Sequence, residues 1–209
     1  LLRLQDSEED LLAPQSFIPA AERYGLMPSI DRWVIHTLFR SYTSARTAGR
    51  SPGLISINLS AAPLTDEAML EYIRDEFAEQ GMDPASVCFE VTETAAIDKL
   101  PKAVQFMEQL RGIGCRFALD DFGSGLSSYG YLKTLPVDYL KIDGRFVKDI
   151  HTDKVARAII ESITHVAHVM GIEIVAEWVE DEETLDTLQD IGVDYAQGYY
   201  IRPPGPLSL

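Results

Sequence analysis

Hydrophobic and polar positions along this chain change period again and again. From Met27 to Arg46 the apolar residues Ile30, Trp33, Val34, Leu38 and Tyr42 recur at helical spacing, with Ser29 placed to cap the start. Residues 54–58 (LISIN) are short and β-branched and read as a strand. The alternation then continues. Helices are expected over 66–80, over 101–112 with Val104, Met107 and Leu110 on one face, and over 155–170 with Ala158, Ile159, Ile163 and Val166 inward. A short helix is expected before Pro136, and another between Asp181, a good N-cap, and Gly192, a good stop. Between them fall strands over 87–91, 116–120, 138–142, 172–177 and 193–200, and Leu1 to Leu4 reads as the tail of one more.

Strands alternating with helices of about 10–15 residues imply βαβ units and a parallel sheet. A doubly wound sheet and a (β/α)8 barrel both satisfy that pattern. The strand ends favour the barrel. Five of the six strands end in a potential ligand or base, namely Asn58, Glu90, Asp120, Lys141 and Glu177, and the sixth ends in Gln197. Strand side chains alternate, so Ile57, Phe89, Leu119, Leu140, Ala176 and Ala196 face the helices. Ser56, Cys88, Ala118, Tyr139, Val175 and Tyr195 form a layer beneath the polar ends. A polar group in the last inward slot of nearly every strand describes a site at the C-terminal face of a barrel. An open sheet would concentrate its site at one switch point.

Composition narrows the chemistry. With 18 Lys+Arg against 33 Asp+Glu the formal net charge is −15, which speaks against binding a nucleic-acid polymer through its phosphates. The 46% apolar content is ample for a folded core. No run approaches the roughly 20 apolar residues of a membrane span, and LLRLQDSEED has neither the basic nor the apolar region of a signal peptide. Two cysteines make no disulfide framework and suit a reducing, cytoplasmic setting, whether or not a longer parent is anchored to a membrane. The abrupt start reads as a cut from such a parent.

Carboxylates converging on one mouth repel one another unless their pKa values rise or cations sit between them. Oxygen donors without Cys or His suit Mg²⁺ or Mn²⁺, and less well Ca²⁺. If one carboxylate of the Asp120–Asp121 pair bridges, the pair can serve two ions, which would clamp the attacking and leaving oxygens of a phosphodiester. Lys141 could orient the attacking water or help deprotonate it. Gly123 and Gly125 suit a pliable loop over the site, without the spacing of a phosphate-binding P-loop. His165 and His168 read as surface residues, Glu173 as structural and Cys88 as interior filling.

The motifs Ser16-Phe17-Ile18-Pro19 with Ala21-Glu22, Asn58-Leu59-Ser60, Glu90-Val91-Thr92-Glu93, Asp120-Asp121-Phe122-Gly123, Lys141-Ile142-Asp143, Glu177-Trp178-Val179-Glu180 and Gln197-Gly198-Tyr199 span the chain. Together they resemble the EAL-domain family of cyclic di-GMP phosphodiesterases. The resemblance implies one (β/α)8-type barrel domain over 1–209, with an antiparallel first strand. It implies hydrolysis of cyclic di-GMP to linear pGpG with two Mg²⁺ or Mn²⁺ ions. By it, Asn58, Glu90, Asp120, Asp121 and Glu177 are metal ligands, with Asp120 bridging. Lys141 holds the attacking water, Gln197 supports it, and Glu93 fixes the 121–128 loop, which leads to a homodimer interface. Arg3 contacts substrate phosphate and Glu180 a guanine edge. Upstream sensory or GGDEF-type domains are expected.

The sequence also departs from the family pattern. Leu1 corresponds to the Leu of the Glu-Ala-Leu motif, so its Glu and the first strand lie outside this chain. Trp178 stands where the family has Gly, and Ser124 and Leu126 replace Thr and Tyr. Two other readings are open: a catalytically silent cyclic di-GMP receptor on the same barrel, and a two-metal or enolase-like barrel acting on a carboxylate substrate. The second is weakened by the lack of a further Lys or His at the strand ends.

Overall fold

The computed structural model describes residues 2–5, 11–50, 52–123 and 129–205. A small antiparallel hairpin, β1 (Leu4–Gln5) with β2 (Leu11–Leu12), comes first. Helices α1 (Pro14–Arg23) and α2 (Met27–Thr47) follow. The rest alternates: β3 (Ile55–Asn58), α3 (Glu67–Gln80), β4 (Val87–Thr92), α4 (Glu93–Asp98), α5 (Leu100–Arg111) and β5 (Arg116–Phe122). It continues with β6 (Tyr139–Ile142), α6 (Gly144–Val147), α7 (Lys154–Val169), β7 (Glu173–Ala176), α8 (Glu182–Ile191) and β8 (Tyr195–Ala196).

Strands β3 to β8 form one sheet in sequential order, every neighbouring pair parallel. That order decides between the two parallel architectures. A doubly wound sheet reverses its strand order at a switch point, whereas a barrel steps steadily around. The two faces are sorted as the alternation requires. Ile57, Phe89, Leu119, Leu140 and Ala176 lie in the main core under the helices, and Cys88, Ala118 and Tyr139, with Val175 against them, form a separate small cluster. Burial pushes the Cys88 thiol up to about 12, which suits its role as filling.

Several expectations are corrected. The opening stub pairs with Leu11–Leu12 and, among the described residues, not with the parallel sheet. Helix α2 starts at Met27 with Pro28 in its first turn, so Ser29 is no cap. Its buried face is Asp31, Ile35, Phe39, Tyr42 and Ala45, while Trp33 is exposed. On α7 the buried residues are Ala156, Ile160, Ile163, Thr164 and Ala167, and Ala158 is exposed. In both helices apolar residues flank the true stripe on either side, and packing chose between neighbouring rotations. Residues 129–134 form turns, so among the described residues no helix precedes Pro136 where one is expected, and residues 124–128 lie outside the described residues. The last strand shrinks to Tyr195–Ala196, because beyond it the chain crosses residues 177–180: Gln197 accepts from the Val179 amide and Tyr200 donates to the Val179 carbonyl. Gly198 permits that crossing, since a Cβ there would lie 2.2 Å from the Val179 oxygen. The Asp181 and Gly192 caps are as expected, with Asp181 accepting from the Thr184 amide and Gly192 left-handed.

Candidate active site

The C-terminal ends of β4, β5, β6 and β7 bring four predicted residues into contact. The buried Lys141 ammonium lies 2.9 Å from Glu90 Oε2, 2.9 Å from Asp120 Oδ1 and 2.8 Å from Glu177 Oε1. Burial alone would depress the lysine. The charges of Glu90, Asp120 and Glu177 outweigh it and hold the ammonium well above its ordinary value. Glu177 shifts up, because burial and the neighbouring Asp120 outweigh the attraction of Lys141. The site therefore stores more negative charge than its one cation balances.

Asp121 joins this group through a local irregularity. Strict alternation would turn Asp121 away from Asp120 and point Phe122 inward. Instead the pairing of β5 with β6 slips between Leu119 and Phe122, and Asp121 takes a left-handed φ of 55°. This is a β-bulge. It returns Phe122 to the main core and lets Asp120, Asp121 and Glu177 each offer an oxygen within 4.8 Å of the others. The Asp121 carboxyl is held up by burial and by Asp120 and Asp143.

These residues fit a hard divalent cation. The donors are all oxygen, and their spacing approaches the span of one small ion's ligand shell. Asp120 Oδ1 is buried and makes no well-angled hydrogen bond, although Lys141 is close, so it keeps acceptor capacity for a further cation.

The other predicted residues spread around this centre. Asn58 ends β3, exposed, in register beside Glu90. Asp31 of α2 steadies that strand end by accepting from the Ser60 hydroxyl at 2.6 Å and its amide at 3.4 Å, and burial raises its carboxyl. Glu93 is buried at the start of α4 and accepts from the Gly123 amide at 3.1 Å and from the Tyr131 hydroxyl. It thus joins the two flanks of the 124–128 segment, while Ser124, Gly125 and Leu126 lie outside the described residues. Gln197 and Glu180 are exposed. Arg3 is exposed and donates to the Leu2 carbonyl, and among the described residues no ion pair ties it to the acidic group.

Sequence reasoning passed over Asp31, Tyr131 and Gly144. Asp31 and Tyr131 sit within ordinary amphipathic or turn segments and had no local signal. Gly144 matters for its neighbour. Trp178, directly after Glu177, has φ 56°, and a Cβ on Gly144 would lie 2.2 Å from its Cγ. Asp143 caps α6 and pairs with Arg145 at 2.6 Å. Burial pushes its carboxyl up, but the hydrogen bonds and charge of Arg145 win and hold it below the usual range.

The sequence profile of the EAL domain family matches residues 1–204. The chain belongs to the EAL domain family. The cyclic di-GMP phosphodiesterase PdeB of Shewanella oneidensis is 50% identical over 208 residues, covering 100% of this chain and 24% of that protein. The cyclic di-GMP phosphodiesterase PdeF of Escherichia coli is 36% identical over 208 residues, covering 99% and 28%. This EAL domain thus spans about a quarter of the length of these curated relatives. Among solved structures, the PaMucR phosphodiesterase in complex with c-di-GMP matches with a TM-score of 0.92 at 32% identity, over 99% of this chain and 83% of that one. The Xanthomonas citri FimX EAL domain in complex with c-di-GMP matches with a TM-score of 0.92 at 29% identity, over 99% and 81%. The α/β fold is of the TIM-like barrel type, its six described parallel strands forming a curled sheet. No described helix is long and apolar enough to cross a membrane.

Proposed function

We propose that this domain hydrolyses cyclic di-GMP to linear pGpG with the help of Mg²⁺ or Mn²⁺. The observation that carries the reading is Lys141 seated among Glu90, Asp120 and Glu177, with Asp121 folded back beside them, in a chain half identical to a cyclic di-GMP phosphodiesterase. On this reading Asn58, Glu90, Asp120, Asp121 and Glu177 would hold two divalent ions, with Asp120 as the ligand they would share. Bound there, the ions supply Lewis-acid activation of the phosphodiester and of a water.

The chain's own side chains do the rest. Lys141, seated against Glu90, Asp120 and Glu177, is placed to hold and orient the attacking water. Gln197, just past the end of β8 and two strands along the sheet from Lys141, supports that water. Arg3 takes a phosphate oxygen, a task that suits a guanidinium, and Glu180 accepts from a guanine edge. Glu93 holds Gly123 and Tyr131, and so keeps Asp121 on the inner side of its bulge. The 121–128 region is the proposed dimer contact, and sensory or GGDEF-type domains precede the barrel in the parent protein.

The test is to incubate the full-length protein with cyclic di-GMP in Mn²⁺ and resolve the products by chromatography. Release of pGpG that stops on chelation is the expected result. Tight binding without turnover would replace the enzyme by a silent receptor. Neither binding nor turnover would sink both.

A further inference from the structure

Trp178 is a large apolar side chain in a position that stability does not explain. It is 54% exposed. Its φ of 56° lies in the left-handed region, where a tryptophan is disfavoured and a glycine would sit without strain. Strained residues of this kind persist where the surroundings hold them, and they cluster at functional sites. Here the holder is visible. The indole is seated on Gly144, where a Cβ would fall 2.2 Å from Cγ, 2.3 Å from Cδ2 and 2.7 Å from Cβ of Trp178. Only a glycine at the start of α6 leaves room for the ring. Trp178 and Gly144 are therefore a matched pair that fixes an exposed aromatic surface.

The location gives that surface a use. Trp178 directly follows Glu177, whose carboxylate touches Lys141 and lies in the acidic group with Asp120 and Asp121. Gly144 directly follows Asp143, whose charge is felt at Asp121. The ring thus sits on the rim of the mouth between the ends of β6 and β7, one residue from the chemistry. A cyclic dinucleotide with its phosphodiester over the acidic group must lay its bases outward from that point, on the rim. Resting on the proposed phosphodiesterase function, we propose that the Trp178 indole is the stacking platform for one guanine of the substrate, held in place by Gly144. Base–aromatic stacking uses the flat face of the base, so the ring supplies affinity while hydrogen-bonding groups on the rim supply choice of base.

Trp178→Leu in the full-length protein keeps the apolar cover on Gly144 and removes the aromatic face. It should raise the Kd and KM for cyclic di-GMP about 5- to 100-fold, with kcat, Mn²⁺ affinity by calorimetry and Tm nearly unchanged. Trp178→Phe should recover most of the loss. Gly144→Ala, which displaces the ring from beneath, should weaken substrate binding in the same way as Trp178→Leu. An unchanged KM in Trp178→Leu overturns the proposal. So does a parallel fall in Mn²⁺ affinity, kcat and Tm, which would make Trp178 a packing residue. Failure of the unaltered protein to bind cyclic di-GMP at all would overturn the functional reading itself, and is seen before any variant is made.

Discussion

On the outer face of the sheet Ile57, Phe89, Leu119, Leu140 and Ala176 are almost fully buried among apolar neighbours. One residue along the same strands, the inner face carries Asn58, Glu90, Asp120, Lys141 and Glu177. The contrast teaches how the strands divide their work. The outer residues remove apolar surface from water and so favour folding. The inner ones bury three carboxylates and an ammonium, an arrangement that usually stabilises less than apolar side chains of the same size would. Stability therefore resides on one face and the proposed chemistry on the other, and substitutions should separate the two.

The sharpest division is expected at Lys141. Lys141→Met should lower kcat by about 10²–10⁴-fold, the range for a lost proton-handling or water-orienting group, and change substrate binding far less. Calorimetry showing lost binding at unchanged kcat would break the assignment. On the outer face, Phe89→Ala should cost about 3–5 kcal/mol of stability in denaturant titrations. Whatever fraction stays folded should bind Mn²⁺ normally, and a selective loss of metal affinity would blur the comparison. Asp120→Asn should reduce hydrolysis about 100-fold or more, judged against the 10- to 100-fold typical for a ligand's supporting partners. Near-normal activity in Mn²⁺ would remove Asp120 from the bridging role.

Smaller effects test the borders of the polar face. Glu93→Ala should release Gly123 and Tyr131 and lower activity about tenfold, with metal affinity nearly intact. A loss of Mn²⁺ binding as large as that of Glu90→Ala would place Glu93 among the ligands. The smallest effect is expected at Asp143. Its folded pKa is lowered, so its charge contributes stability above the ordinary carboxylate pKa of about 3.9, lost as pH falls through the folded value. Asp143→Asn keeps the cap oxygen on α6 but removes the charge beside Arg145. It should lower Tm by about one to two degrees at neutral pH, and the gap should close in acid. A gap that widened on acidification would reverse the sign of this account.

The sequence by itself determined the alternation of strands and helices, the inward parity of Glu90, Asp120, Lys141 and Glu177, and the apolar layers on either side. Both periodicities are local consequences of backbone geometry, so they are written residue by residue. It did not determine the rotation of α2 and α7, because several apolar faces were available and only the sheet beneath them selected one. The Asp121 bulge was equally hidden, since the slip belongs to the pairing of β5 with β6 and not to either strand alone. Tertiary structure alone brought Asp31 to Ser60, Tyr131 to Glu93 and Trp178 onto Gly144. These contacts join residues far apart in the chain. Whether such side chains meet depends on where the packed sheet and helices place them, and no local pattern records that.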